Sequence, residues 1–164
     1  MRHIISILLQ NEAGALARVA NLFSSRGYNI ESLNVAPTAD ETVSRLTLVT
    51  SGSDSVIDQI SKQLGKLVDV VEIADMTSAD HIERELALFK LNVTNGGADK
   101  LAAALEQFDA RVLNDQSGHY TVEVVGGSQE IDRFLKRVAG ITDVLTVVRS
   151  GAMAVSRGAA QKRG

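Results

Sequence analysis

Apolar periodicity in this chain alternates between a two-residue and a 3.6-residue repeat, in a fixed order that occurs twice, and few folds satisfy that order. Ile5, Ile7 and Leu9 alternate with Ile4, Ser6 and Leu8, so the first predicted strand is largely apolar on both faces, as a central strand is. Leu16, Val19, Ala20 and Phe23 then recur at i, i+3, i+4 and i+7, the spacing of one buried helix face. A strand over 28–36 follows, then a turn at Pro37-Thr38-Ala39-Asp40-Glu41, which holds the only proline, and a second alternating run over 42–50. Val56, Ile57, Ile60 and Leu64 predict a second helix ended by Gly65, and residues 67–73 a fourth strand. The order β-α-β-β-α-β predicts a ferredoxin-like α+β module, an antiparallel four-stranded sheet with two helices on one face.

Residues 74–83 form the one long polar stretch, after which the pattern repeats. A strand over 86–93 leads through Asn95-Gly96-Gly97 into a helix carrying Leu101, Ala104, Leu105 and Phe108. A strand pair over 111–114 and 119–125 turns at Gln116-Ser117-Gly118. Gly126-Gly127-Ser128 opens a helix with Ile131, Phe134, Leu135 and Val138, and 141–148 closes the unit. The expected organisation is therefore a first module over 1–75, a linker over 76–83 where a fragment could be cut, a second module over 84–149 and a flexible tail over 150–164. Modules of 75–80 residues have marginal cores, so pairing of sheets or helices between two copies, a homodimer, is expected.

The search for chemistry is brief. With no Cys the chain can form no disulfide, thiolate nucleophile or Cys-based zinc site. His3, His81 and His119 are far apart without a second ligand at metal spacing, and read as surface or strand-edge residues. Glu83 and Glu85 flank the linker; Asp99, Glu106 and Glu130 fall on solvated helix faces, and no carboxylate pair is marked for acid–base work. Gly96-Gly97 and Gly126-Gly127 precede helices but lack the spacing of a P-loop. A net charge of −3 and 4 % aromatics give no drive toward nucleic acid. No apolar run reaches membrane-spanning length and the N-terminus has no signal-peptide pattern, so a cytoplasmic protein is expected. Three classes remain: a regulatory ligand-binding subunit, an RNA-binding protein and a small enzyme. An RNA-binding module would want exposed aromatics and a basic face where this chain has Leu, Thr and Ser, and the enzyme reading has no nominated residue.

The stretch 11–29 favours the first class. Asn11 reads as an N-cap or turn former, Gly14 falls in the first helical turn, and Gly27 suits the left-handed position after a helix. Glycine in a first turn costs helix propensity but lets a ligand approach the free N–H groups, which favour negative charge. Asn11 and Asn29 stand at opposite ends of one helix and need not be near each other unless the fold brings them back or a second chain supplies the partner. The strings Asn11-Glu12-Ala13-Gly14-Ala15-Leu16-Ala17-Arg18-Val19, Arg26-Gly27-Tyr28-Asn29-Ile30-Glu31-Ser32-Leu33 and Val35-Ala36-Pro37-Thr38 resemble the regulatory (small) subunit of acetohydroxyacid synthase, or acetolactate synthase, whose N-terminal part is an ACT domain. The resemblance extends through Ser44-Arg45-Leu46-Thr47, the segment 63–70, Glu83-Arg84-Glu85-Leu86, Arg149-Ser150-Gly151 and Ser156-Arg157-Gly158.

That resemblance implies a non-catalytic subunit of two tandem ferredoxin-like modules, the first an ACT domain for effector binding and dimerisation. It implies a large-subunit partner that carries thiamine diphosphate, FAD and magnesium, none held by this chain, and that condenses pyruvate with pyruvate or 2-oxobutyrate in branched-chain amino-acid synthesis. The small subunit would activate it and confer feedback inhibition, most often by valine. The effector residues it implies are Asn11, Gly14 and Asn29, with Ala15 and Ile30 lining the site. Asn34 stands where the family is expected to have Thr. Another amino-acid-sensing ACT protein is the alternative.

Overall fold

The computed structural model describes residues 1–93 and 96–158. The chain forms two compact units: Met1–Ile82 with the returning segment from Ala152, and Glu83–Gly151. The second unit is therefore an insertion in the first, entered at Glu83 and left at Gly151.

The first unit is built from β1 (Arg2–Gln10), α1 (Ala15–Ser25), β2 (Ile30–Pro37), β3 (Val43–Ser51), α2 (Asp54–Leu64) and β4 (Val70–Asp75), with sheet order β2-β3-β1-β4. Every pairing is antiparallel; Ile5 faces Leu48 and Ile7 faces both Leu46 and Ile73. The core under the helices joins Ile5, Ile7 and Leu9 to Val19, Phe23, Ile57, Ile60 and Leu64, all at most 2 % exposed. α1 presents Ala15, Val19 and Phe23 to that core, whereas Leu16, expected on the buried face, is 36 % exposed. Val19 and Phe23 are buried as the stripe predicts and Ala20 is half-buried, so the difference is confined to the first turn, where Ala15 takes the buried place expected of Leu16. α1 closes as predicted at Gly27: φ is +71°, Tyr28 N–H donates to Phe23 O and Gly27 N–H to Ser24 O, a Schellman closure.

The expected polar linker is shorter than the sequence suggests. β4 runs to Asp75, Met76 is 5 % exposed and its N–H donates to Ile4 O, and β5 (His81–Asn92) begins at His81. His3, expected at the surface, is 2 % exposed; its ring meets Gly52 O and Thr77 Oγ1 at 3.2 and 3.4 Å. His3 and Met76 are covered where the chain passes the start of β1, while Ser78 and Asp80 stay exposed.

The sequence assigns no element to residues 150–158, yet Met153–Ser156 form strand β9, which pairs with β5, and Arg157 N–H donates to Asp80 O. Ala152, 1 % exposed, and Ala154 pack with Ile4, Val49 and Met76 on the face of the first sheet opposite the helices. Asn34 Nδ2 donates to Ala152 O at 3.3 Å. Small residues give this segment no visible apolar periodicity, yet they are what lets a strand lie close on a sheet. A fragment ending at Asp80 uncovers Ile4, Val49 and Met76, and is expected to lose about 2 kcal/mol of stability, at ~0.8 kcal/mol per methylene re-exposed. A lower thermal midpoint than the intact chain, with added binding of a hydrophobic dye, checks this; an unchanged midpoint would refute it. The rest of the expected tail, 159–164, and Asn95 of the expected turn lie outside the described residues.

The second unit repeats the order with β5, α3 (Ala98–Gln107), β6 (Arg111–Gln116), β7 (His119–Gly126), α4 (Ser128–Ala139) and β8 (Asp143–Arg149), in sheet order β6-β7-β5-β8. Phe89, Phe108 and Phe134 stack edge to face in its core, with centroids 4.9 and 5.4 Å apart. Buried Glu85 on β5 receives Arg149 Nε and Nη2, both at 2.8 Å; Arg149 Nη1 reaches Asp132 of α4 at 2.6 Å. Ser128 Oγ and Gly151 N–H also donate to Glu85. The carboxylate that the sequence places beside a linker thus ties β5 to β8 and to the start of α4, and these donors, Arg149 first, hold it below the usual carboxylate range. Both modules are α+β with antiparallel sheets, and no helix among the described residues is long and apolar enough to cross a membrane.

Candidate effector site

The turn between β1 and α1 is held from three directions. Asn11 N–H donates to Thr42 O at 2.8 Å and its Nδ2 to Glu41 O at 2.9 Å, so Asn11 binds the β2–β3 turn. Its side chain does not cap the helix. The N-cap is Gly14, with φ +86° and no side-chain cap bond. Of the four helices among the described residues, α1 alone has no acidic residue in its first turn. Ala15 N–H donates to Glu12 O at 3.2 Å, and no side-chain cap or first-turn carboxylate offsets the rest of the partial positive charge at the helix start.

Arg18, one turn in, was not singled out from the sequence. Its Nε and Nη2 grip the carboxylate of Asp69 at 2.5 and 2.9 Å, while Nη1 lies 2.8 Å from where a Cβ on Gly14 would stand. Asp69 is 5 % exposed, its carboxyl is held below the ordinary range by the Arg18 bond, and its backbone O accepts Gln10 N–H at 2.8 Å. One residue before β4 therefore braces both the end of β1 and the start of α1. Gly14 is required twice over, by its left-handed backbone and by the guanidinium packed against it.

Beside this turn lies a groove of about 210 Å³, lined on one side by Asn11, Ala15 and Leu16 and on the other by the end of β2, Val35 to Pro37. Val35 and Leu16 are partly exposed and give it apolar walls. Asn11 and Ala15 line the groove together with Glu12, and Gly14 lies in the turn between them. Asn29 and Ile30 stand apart: they begin β2 beyond the far end of α1, an 11-residue helix about 16 Å long at ~1.5 Å per residue. Asn29 O accepts Thr50 Oγ1 at 2.6 Å, but its exposed side chain has no partner among the described residues. Among those residues no cluster of three or more His, Asp or Glu is arranged to hold a metal.

Two βαββαβ modules in tandem, the first with a small groove beside a helix start that has no side-chain cap, have the architecture of the ACT-domain regulatory class. Residues 5–72 match the model described as the acetolactate synthase (AHAS) small subunit-like ACT domain, and 84–158 the model of the small subunit of acetolactate synthase. The chain is 45 % identical over 158 residues to the acetolactate synthase isozyme 3 small subunit of Escherichia coli, covering 96 % of this chain and 97 % of that protein. It is 39 % identical over 156 residues to the acetolactate synthase small subunit of Mycobacterium leprae, covering 95 % and 92 %. The crystal structure of the acetolactate synthase small subunit from Thermotoga maritima superposes with a TM-score of 0.86 at 29 % identity, over 98 % of this chain and 99 % of that one. The chain belongs to the acetolactate synthase small-subunit family, and is regulatory rather than catalytic.

Proposed function

We propose that this chain binds a branched-chain amino acid, valine first, between two copies of its first unit, and passes that binding to an acetolactate synthase large subunit as feedback inhibition. In this reading the effector carboxylate lies at the α1 start of one copy, at Gly14 and Ala15 beside Asn11. The ammonium meets the amide of Asn29 from the other copy, and Ile30 and the groove walls receive the branched side chain. The chain works as a homodimer in the cytoplasm. It activates the large subunit, and thiamine diphosphate, FAD and magnesium belong to that subunit.

The observation that carries the reading is the start of α1: no side-chain cap, no acidic residue in its first turn, and a left-handed glycine packed against the Arg18 guanidinium. A carboxylate is the group that such a helix end favours. The split of the five candidate residues between the two ends of α1 is why a second copy is required.

Asn29→Ala is the discriminating variant. The Asn29 side chain has no partner among the described residues, so its removal is expected to leave the melting temperature within a degree or two. Loss of the amide hydrogen bonds, ~1–3 kcal/mol, weakens valine binding roughly 5- to 100-fold. Calorimetric titration, with acetolactate formation by the reconstituted holoenzyme measured with and without valine, reads both effects. Unchanged valine affinity, or a monomer by light scattering at micromolar concentration, would sink the shared site.

A further inference from the structure

The helical side of the first unit carries a groove of about 600 Å³ that effector binding leaves unused. It runs between α1 and α2 over an apolar floor of Leu22 and Ile60, both part of the core packing. Its rim is basic. Arg26, Lys62 and Lys66 line it together with Gln59 and Gln63, and no carboxylate is among its lining residues, although the whole chain carries a net charge of −3. Lys62 is engaged by Asp58 at 2.6 Å. Arg26 and Lys66 have no ion pair or side-chain hydrogen bond among the described residues, and neither do the two glutamines. Cations near helix ends complement the backbone dipole, which accounts for Arg26 at the end of α1 and Lys66 just after α2. It does not account for amides and cations converging on an open apolar floor.

We infer that this groove receives an acidic segment of the acetolactate synthase large subunit, with Asp or Glu side chains reaching Arg26 and Lys66 and one or two apolar residues covering Leu22 and Ile60. The inference rests on the large subunit as the partner that family membership implies. Charge complementarity selects the occupant: an anionic segment with an apolar centre satisfies the rim and covers the floor together. The opposite face of the same unit is already occupied by Ala152 and Ala154. The arrangement also gives the two functions a common part. α1 begins at the effector turn and ends at Arg26, and the groove residue Tyr28 is followed directly by Asn29.

The test uses the full-length chain and its purified native large subunit. The double variant Arg26→Glu/Lys66→Glu is expected to bind that subunit at least tenfold more weakly, with a shallower dependence on salt between 50 and 300 mM, because charges at an interface rim set both. The charge-neutral pair Arg26→Gln/Lys66→Gln should fall between it and wild type, and carries the test if the reversed pair does not fold. Melting curve, light-scattering mass and calorimetric valine affinity should match wild type. Large-subunit binding unchanged in the double variant overturns the groove assignment alone. A change of mass would mean that a second copy of this chain occupies the groove, and overturns it too. Wild-type protein that fails to bind the large subunit removes the partner assignment and the groove with it.

Discussion

Arg149→Ala should destabilise the second unit by about 3 kcal/mol and lower its melting temperature by roughly 10–20 °C, at ~4–8 °C per kcal/mol for a domain of this size. The reason is what stays behind. Glu85 is 3 % exposed, and without the bidentate guanidinium it keeps only Ser128 Oγ at 3.0 Å and Gly151 N–H at 3.3 Å. Removal of one partner from a buried pair costs ~3–5 kcal/mol, and the lower end applies because the Arg149 side chain is itself 33 % exposed. The pH dependence should change sign. In the wild type the Glu85 carboxyl lies below its unfolded value, so its contribution is present above pH ~4.5 and is lost as pH falls through the folded value. In the variant burial dominates and pushes that carboxyl up, so the folded state binds the extra proton and stability rises on mild acidification. Glu85→Gln combined with Arg149→Met removes both charges and should recover most of the loss. Calorimetry of the three proteins between pH 4 and 8 checks this, and a variant that loses stability on acidification as the wild type does would refute it.

That pair also marks the limit of the linear pattern. Strands and helices were legible because their cores are built from Ile, Leu, Val and Phe at regular spacing: Ile5, Ile7 and Leu9 on β1, or Ile131, Phe134 and Val138 on α4, announce the buried face by period alone. Glu85 and Arg149 are 64 residues apart, Arg18 and Asp69 are 51 apart, and a carboxylate that finds an arginine at such a distance looks in sequence like any solvated charge. β9 escaped for the opposite reason: Ala152 and Ala154 are too small to write a stripe, yet small side chains are what its place on the first sheet requires. At the candidate site, the glycine at position 14 stands out in the sequence, but the reason that only glycine fits does not. Left-handed backbone and the Arg18 guanidinium are facts of three dimensions. The i, i+3, i+4, i+7 spacing puts Leu16 on the buried face; the helix instead buries Ala15 and leaves Leu16 as an apolar wall of the groove beside β2.

The second large effect concerns Gly14, where two substitutions together separate binding from folding. Gly14→Ala forces a side chain into φ +86°, at ~1–2 kcal/mol, and sets its Cβ 2.8 Å from Arg18 Nη1, so the guanidinium must shift on Asp69. The melting temperature of the first unit should fall by about 5–10 °C and valine affinity by roughly tenfold, because Cβ intrudes on the helix start. Gly14→Asp meets the same backbone strain but adds a carboxylate at a helix start with no acidic residue in its first turn, beside a guanidinium. That charge returns up to ~1 kcal/mol of stability, so the aspartate variant should melt above the alanine variant. It also occupies the place proposed for the effector carboxylate, so valine binding should weaken by ~100-fold or more, about 2.7 kcal/mol, and feedback inhibition of the holoenzyme should disappear while activation remains. The two orders are opposed: for stability, wild type above aspartate above alanine; for valine affinity, wild type above alanine above aspartate. A turn that served the fold alone would make affinity follow stability, with alanine the worse in both. Calorimetric valine titration and melting curves on the three proteins decide between these, and an aspartate variant that binds valine better than the alanine variant would remove the effector from the α1 start.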